Sequence, residues 1–196
     1  MFKVGLTGGI GSGKTTVCRI FELLGIPIYY ADDRAKELMV DNPELVKKIK
    51  ATFGEDSYIK GELNAPYVAK IVFKDRKQLE KLNSIVHPAL GADFLHWADE
   101  QKDVPYVIEE AAILIESGGY KQMDKIVLVT APTAVKMERI RKRDNLSEEE
   151  IKNRINSQLS DEDRLPYADY IIKNDGQHFL TQQVVNLHKS LLSLGK

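Results

Sequence analysis

The chain has 196 residues, with 28 lysines and arginines against 29 aspartates and glutamates and a formal net charge of −1. A chain of this length can bury one substantial core, and its balanced charge does not suggest general binding to nucleic acids. No stretch is apolar enough to span a membrane, the first residues enter a predicted strand rather than a signal peptide, and Cys18 is the only cysteine. We therefore expect a soluble, cytoplasmic protein without disulfides, and nothing in the sequence indicates its oligomeric state.

The first predicted element is a short buried strand, Val4–Leu6, which leads into a glycine-rich turn. Residues 8–15, GGIGSGKT, fit the pattern G-x-x-x-x-G-K-[ST] without a mismatch. Glycines in such a turn let backbone N–H groups approach a phosphate, and the helix predicted from about Lys14 directs its positive end at the same phosphates. A glycine-rich turn can also be an ordinary loop, but the complete strand–loop–helix pattern favours a phosphate-binding loop.

This loop predicts specific contacts to a bound nucleotide. We expect Lys14 to reach the β- and γ-phosphates and Thr15 to offer its hydroxyl group to Mg²⁺. The other residues of the loop that we expect to bind the nucleotide are Gly9, Gly11, Ser12, Gly13 and Thr16.

A second short strand is predicted at Ile26–Tyr30, and a new helix begins at Ala31-Asp32-Asp33. In open α/β sheets, ligands bind beyond the carboxyl ends of the strands. One of the two aspartates is expected to be the helix N-cap, and the other is then a candidate catalytic carboxylate. A hydroxyl nucleophile benefits from a carboxylate within hydrogen-bonding reach, which makes Asp32 the candidate general base.

Helical patterns dominate the next part of the chain, and we interpret residues from about 41 to 103 as a helical insertion that holds an acceptor substrate. Asn64 is predicted to cap a helix that begins with Ala65-Pro66. His87-Pro88 is predicted to interrupt a helix, because the residue before a proline disfavours the helical conformation. His87 is either a residue at that boundary or a polar group that binds the substrate.

The sheet is predicted to resume at Pro105–Ile108 and to end in Glu109-Glu110. Glu110 stands where a carboxylate can orient Mg²⁺ through water and face the substrate, although a charge at a strand end can also be plain surface. Further strands are predicted at Lys125–Val129 and Tyr170–Ile172.

Two charged helices are predicted between these last strands. Arg139 and Arg143 are four residues apart and share one helix face, and Ser147-Glu-Glu-Glu150 matches a capping box. The two helices are either a solvated surface or a lid, at about 139–164, that brings both arginines to the transferred phosphoryl group. The phosphate-binding loop upstream favours the lid.

A series of segments along nearly the whole chain resembles the dephospho-coenzyme A kinase family. The segments are, in order, LTGGIGSGKTT, ADDRAKEL, LNSIVHP, ILIES, RIRKRD, RINSQ and YADYIIKNDG. The phosphate-binding loop alone is shared with many unrelated NTPases, whereas its combination with the later segments is much more specific.

The resemblance implies an α/β fold of the P-loop NTPase type, with a five-stranded parallel sheet flanked by helices. It implies one domain, 1–196, in which a core at about 1–40, 104–138 and 165–196 carries the helical acceptor-binding insertion and the lid. The implied reaction is phosphorylation of the ribose 3′-hydroxyl of dephospho-coenzyme A, the last step of coenzyme A synthesis. ATP and Mg²⁺ are the implied cofactors, and the implied partner is this small-molecule substrate.

The resemblance also implies roles for individual residues. Asp32 matches the acidic residue proposed as the catalytic base, and His87 lies in the acceptor-binding element. Arg139 and Arg143 match arginines of the lid. The positions that match the segment beside the adenine are Asn174, Asp175 and Gly176.

Tyr30, Ala112 and Ala65 depart from the pattern of the family. Tyr30 replaces an aspartate and Ala112 a proline, and both changes leave the chemistry intact because Asp32 and Glu110 remain. Ala65 stands where an arginine is often found, so the resemblance assigns no residue here to that contact with the substrate phosphate, and another basic residue is the alternative source.

Two other functions fit parts of the sequence. A nucleoside or small-metabolite kinase could share the same architecture. A nucleotide-dependent switch is less consistent, because a GTPase should contain an N-K-x-D element and Lys173-Asn174-Asp175-Gly176 does not fit it. A switch also gives no reason for an acceptor-binding insertion and a lid.

Overall fold

The computed structural model describes residues 1–144 and 146–194. The predicted lid and core ranges include residues 145, 195 and 196, which lie outside the described residues. The strands are, in chain order, β1 (Lys3–Thr7), β2 (Ile28–Tyr30), β3 (Tyr58–Ile59), β4 (Glu62–Leu63), β5 (Val107–Glu110), β6 (Lys125–Thr130) and β7 (Tyr170–Lys173). The α-helices are α1 (Lys14–Leu23), α2 (Ala31–Asp41), α3 (Pro43–Phe53), α4 (Ala65–Val72), α5 (Arg76–Glu100), α6 (Thr133–Asp144), α7 (Glu148–Asn156), α8 (Asp161–Arg164) and α9 (Leu180–Leu192).

Five of the strands in the described part of the chain form a parallel sheet in the order β2-β5-β1-β6-β7. The predicted five-stranded parallel sheet flanked by helices is therefore confirmed. Every residue of β5 is buried, as are Val4–Thr7 of β1 and Ile126–Val129 of β6. Parallel strands are covered by helices on both faces, so their sequences are nearly continuous apolar runs. The register aligns Leu6 with Glu110, which places this carboxylate beside the end of β1.

Among the described residues, the chain divides into two compact units, and the first combines Met1–Tyr30 with the residues from Ala98 onward. It contains the five-stranded sheet. Helices α1 and α9 contribute Val17, Phe21, Val184 and Leu191 to its core, together with the apolar side chains of the central strands. Cys18, on α1, is fully buried in the same core, as expected of a small apolar residue.

The second unit is Ala31–Trp97, which contains α2, α3, α4, the small β3–β4 hairpin and most of α5. It has its own apolar core, formed by Leu38, Leu45, Ile49, Phe53, Tyr58, Val68, Val72 and Val86. Asn64 caps α4 by accepting a hydrogen bond from the Tyr67 N–H, as predicted. The unit begins earlier and ends earlier than the insertion expected at about 41–103.

Two local predictions in this unit are wrong. Helix α5 continues through His87-Pro88, where we expected an interruption. A proline inside a helix removes a hydrogen bond and costs about 3 kcal/mol, but α5 buries Val86 and Phe94 on both sides of it, and this packing outweighs the local preference. Helix α2 begins at Ala31, so Asp32 and Asp33 both lie in its first turn and neither is its N-cap.

No helix in residues 1–144 and 146–194 combines the length and the apolar character that crossing a bilayer requires.

Candidate active site

The loop between β1 and α1 has a backbone that requires glycine. Gly8, Gly11 and Gly13 have φ angles of 153°, 79° and 93°. A Cβ atom at Gly8 would lie 2.3 Å from the Val129 carbonyl oxygen, and one at Gly13 would lie 2.1 Å from Asn174 Nδ2. Gly13 also caps α1 without a side chain, so the positive end of this helix opens directly onto the loop. This shape fits a bound polyphosphate.

Lys14 and Glu110 form a buried ion pair beside this loop. Lys14 Nζ lies 3.6 Å from Glu110 Oε1, and their side chains are 11% and 9% exposed. The same ammonium group donates a hydrogen bond of 3.0 Å to the Gly8 carbonyl oxygen. The structure thus brings these two predicted site residues together, and both charges are compensated. Thr15 and Thr16 are exposed in the first turn of α1.

The side chain of Arg139 binds backbone carbonyl groups of the loop. Its NH1 atom lies 3.2 Å from both the Gly11 and the Ser12 oxygens, and NH2 donates to the Asn174 carbonyl oxygen at 2.9 Å. Asn174 Nδ2 donates to the Ser12 oxygen at 2.8 Å. The fork of a guanidinium group suits such multiple contacts. Arg139 and Asn174 therefore hold the side of the loop that presents carbonyl groups.

Arg143 occupies a different environment from Arg139, although they lie four residues apart on α6. Its guanidinium group donates to Asp144 at 2.6 and 2.9 Å, and its side chain is 63% exposed. The structure therefore brings Arg139 to the loop and places Arg143 in a surface ion pair.

The segment after β7 forms a tight turn. Asp175 accepts hydrogen bonds from the backbone N–H groups of His178 and Gln177 and from the His178 ring, which hold the pKa of the Asp175 carboxyl well below its usual range. Gly176 has a φ of 80°. Of the three predicted residues in this segment, the structure brings Asn174 into contact with the phosphate-binding loop, while the Asp175 carboxylate stabilises the turn.

Several residues at the loop were not identified from the sequence. Gln158 Oε1 accepts a hydrogen bond of 2.8 Å from the Ile10 N–H. Lys136 Nζ donates to Asp161 Oδ2 at 2.6 Å, and Arg164 NH2 donates to Glu116 Oε1 at 2.6 Å. One signal was present: Lys136 lies four residues before Ile140, on the buried face of α6.

A cavity of about 620 Å³ lies beside the loop. Its walls include Gly9, Ile10, Lys136, Gln158, Asp161 and Arg164. Its size is suited to a small polar ligand. The phosphate-binding loop and helices α6, α7 and α8 border this cavity.

Asp32 and His87 belong to the second unit. Asp32 is exposed and follows β2 by two residues, whereas His87 is half-buried on α5, where burial lowers its pKa. In the first unit, burial raises the pKa of Glu109, the neighbour of Glu110, to about 7. Within the described ranges, no group of three His, Cys, Asp or Glu side chains could hold a metal ion by itself.

Comparisons with known proteins cover almost the entire chain. Residues 2–179 match the family model described as dephospho-CoA kinase. A dephospho-CoA kinase of Bacteroides fragilis is 37% identical over 185 residues, which cover 94% of this chain and 90% of the relative.

Solved structures agree with this match. A protein of Thermus thermophilus has a TM-score of 0.85 at 28% identity and covers 96% of both chains. The dephospho-CoA kinase from Campylobacter jejuni has a TM-score of 0.72 at 26% identity, with 99% of this chain and 98% of that chain covered. The chain therefore belongs to the dephospho-CoA kinase family.

Proposed function

We propose that this protein transfers the γ-phosphoryl group of ATP to the ribose 3′-hydroxyl of dephospho-coenzyme A, giving coenzyme A and ADP. The observation that supports this most strongly is the family match over residues 2–179, which includes the phosphate-binding loop and the second unit. The match favours this acceptor over those of other small-metabolite kinases, and it does not favour a nucleotide-dependent switch.

The nucleotide is bound by the loop between β1 and α1. Its glycines allow close approach of phosphate oxygens, and Lys14 exchanges its hydrogen bond with Gly8 for one with a phosphate. Arg139 and Asn174 keep the loop in this shape through Ser12. Positioning and neutralisation of charge supply most of the acceleration in phosphoryl transfer, so a rigid loop is a catalytic requirement.

Mg²⁺ fits the polar groups of the site, where the Thr15 hydroxyl would bind the ion and the Glu110 carboxylate would orient it through water. Oxygen atoms are the ligands that Mg²⁺ prefers, and it commonly takes one or two protein groups together with substrate phosphates. When bound, the ion neutralises negative charge on the β- and γ-phosphates.

The acceptor is activated and held by residues of the second unit. Asp32 accepts the proton of the ribose hydroxyl as this oxygen attacks phosphorus, and His87 contributes to binding the acceptor. The unit Ala31–Trp97 is the acceptor-binding part of the chain, and residues from about 139 to 164 act as the lid. The protein acts in the cytoplasm.

ADP release tests this proposal when it is measured with MgATP and a panel of acceptors that includes dephospho-coenzyme A, adenosine and shikimate. We expect rapid release with dephospho-coenzyme A and only background hydrolysis with the others. Lys14→Ala should reduce the release of ADP with dephospho-coenzyme A to the background rate. Efficient transfer to another acceptor, with none to dephospho-coenzyme A, would contradict the proposal.

A further inference from the structure

A group of buried charges borders the phosphate-binding loop at Gly9. A Cβ atom at Gly9 would lie 3.4 Å from Lys136 Nζ, 3.5 Å from Arg164 NH1 and 3.7 Å from Asp161 Oδ1. Lys136 is 7% exposed and Arg164 is completely buried. Two cationic groups from α6 and α8 are therefore directed at the backbone of the loop.

The ion pairs in this group leave some buried polar atoms without hydrogen bonds. Asp161 Oδ2 accepts the 2.6 Å hydrogen bond from Lys136, and Asp161 Oδ1 lies 3.9 Å from Arg164 NH1. Arg164 also donates to Glu116 and to the Leu159 carbonyl oxygen. Among the residues that the structure describes, Asp161 Oδ1 and Arg164 Nε are buried without a hydrogen-bond partner. A buried polar atom without a partner destabilises a protein, so its presence calls for an explanation such as a catalytic role or a bound ion.

A backbone N–H group of the loop is likewise already bound to a side-chain oxygen. The Ile10 N–H, next to Gly9, donates to Gln158 Oε1 at 2.8 Å. In phosphate-binding loops, such N–H groups bind phosphate oxygens. Gln158 and Asp161 therefore supply acceptor oxygens to the same kinds of donors that a phosphoryl group requires.

We infer that Lys136 and Arg164 form the subsite for the transferred phosphoryl group, and that Asp161 and Gln158 hold these donors until the nucleotide binds. The inference rests on the proposed function, because it takes the anion to be the terminal phosphoryl group of ATP. Negative charge on that group is stabilised by preorganised cations. Arg139, assigned this role from the sequence, is engaged with loop carbonyl groups instead.

The Asp161 carboxylate has a specific consequence in this arrangement. It competes with the phosphoryl group for Lys136, and its own charge repels that group. Removal of this charge should therefore strengthen binding of a triphosphate. A purely structural ion pair between Lys136 and Asp161 has the opposite consequence, because its loss would loosen the site and weaken binding.

The test is calorimetric binding of ADP and of the non-hydrolysable β,γ-imido analogue of ATP, with Mg²⁺ and without an acceptor. Asp161→Asn preserves the shape of the side chain and should raise the affinity for the analogue by about threefold, with little change for ADP. Lys136→Gln should lower the affinity for the analogue by about tenfold and again leave ADP almost unchanged.

Lys125→Gln is the matched control, because Lys125 forms an ion pair of the same length, 2.6 Å, with Asp169 at the start of β6, outside the phosphate-binding loop and the lid. It should bind both nucleotides as the wild type does. Thermal unfolding checks that each variant is folded, and Asp161→Asn decides the question by the sign of its effect if Lys136→Gln does not fold. Weaker binding of the analogue by Asp161→Asn, or an equal loss of both nucleotides in Lys136→Gln, would overturn the inference. Failure of the wild type to bind either nucleotide would overturn the proposed function itself.

Discussion

Gly13 combines two requirements for glycine that can be separated by mutation. Its φ of 93° is unfavourable for any residue with a side chain, and a Cβ atom there would lie 2.1 Å from Asn174 Nδ2. Gly25, which follows α1, has a similar φ of 80°, but among the described residues no heavy atom beyond its two chain neighbours lies within 4 Å of its Cβ position. Gly13→Ala and Gly25→Ala therefore differ in steric contact and share the backbone cost.

The magnitudes follow from the contacts that each substitution disturbs. The backbone conformation costs about 1–2 kcal/mol at both positions. At Gly13 the displaced Asn174 also loses its 2.8 Å hydrogen bond to Ser12 and its contact with Arg139, at about 1 kcal/mol each. We expect Gly13→Ala to lower the free energy of unfolding by about 3–4 kcal/mol and Gly25→Ala by about 1–2 kcal/mol.

Urea unfolding followed by circular dichroism measures this difference. Both substitutions reduce the conformational entropy of the unfolded chain equally, so this effect cancels in the comparison. Nucleotide affinity should fall in Gly13→Ala and stay unchanged in Gly25→Ala. Equal destabilisation of the two variants would refute the argument that Asn174 is packed against the loop at Gly13.

Three further predictions test the site and its surroundings. Asp32→Asn should lower turnover about 10²- to 10⁴-fold with little change in ATP affinity, and equal losses in both would show that Asp32 positions the nucleotide instead. Arg139→Lys should weaken ATP binding because a lysine cannot reproduce the forked contacts, whereas Arg143→Lys, in its surface pair, should bind normally in the same titration. Burial raises the pKa of Glu109 from its ordinary value of 4.5 to about 7. Between these two pH values the folded protein retains a proton that the unfolded chain has released, so stability that is fully present below pH 4.5 is lost as the pH rises through 7. Glu109→Gln should therefore be more stable than the wild type at pH 8 by about 3 kcal/mol and similar to it near pH 4.5, and a pH-independent difference in urea unfolding would contradict this cause.

Local patterns in the sequence were sufficient for the sheet and the phosphate-binding loop. The apolar runs around Val4–Leu6 and Lys125–Val129 predict buried strands, because both faces of a parallel sheet are covered. The caps at Asn64 and Ser147 were also predicted correctly, since a cap depends on residues within one helical turn.

Interactions between distant residues were not predictable in the same way. Pro88 would end an isolated helix, and only the packing of α5 makes its continuation favourable. Arg139, Lys136 and Arg164 are all basic residues in charged segments, and their sequence positions do not reveal which of them reaches the loop. Their partners are distant in the chain: Glu116 lies 48 residues from Arg164, and Gly11 lies 128 residues from Arg139. Sequence spacing therefore suggested Arg139 and Arg143, whereas the fold directs Lys136 and Arg164 toward Gly9.

The most direct test of the proposed function is identification of the phosphorylated product. The protein is incubated with MgATP and dephospho-coenzyme A, and the product is analysed by mass spectrometry and by phosphorus–proton NMR correlation. We predict a gain of one phosphoryl group with coupling to the ribose 3′ proton. A product without this group, or with the phosphoryl group at another position, would contradict the proposed function even if ATP binding were intact.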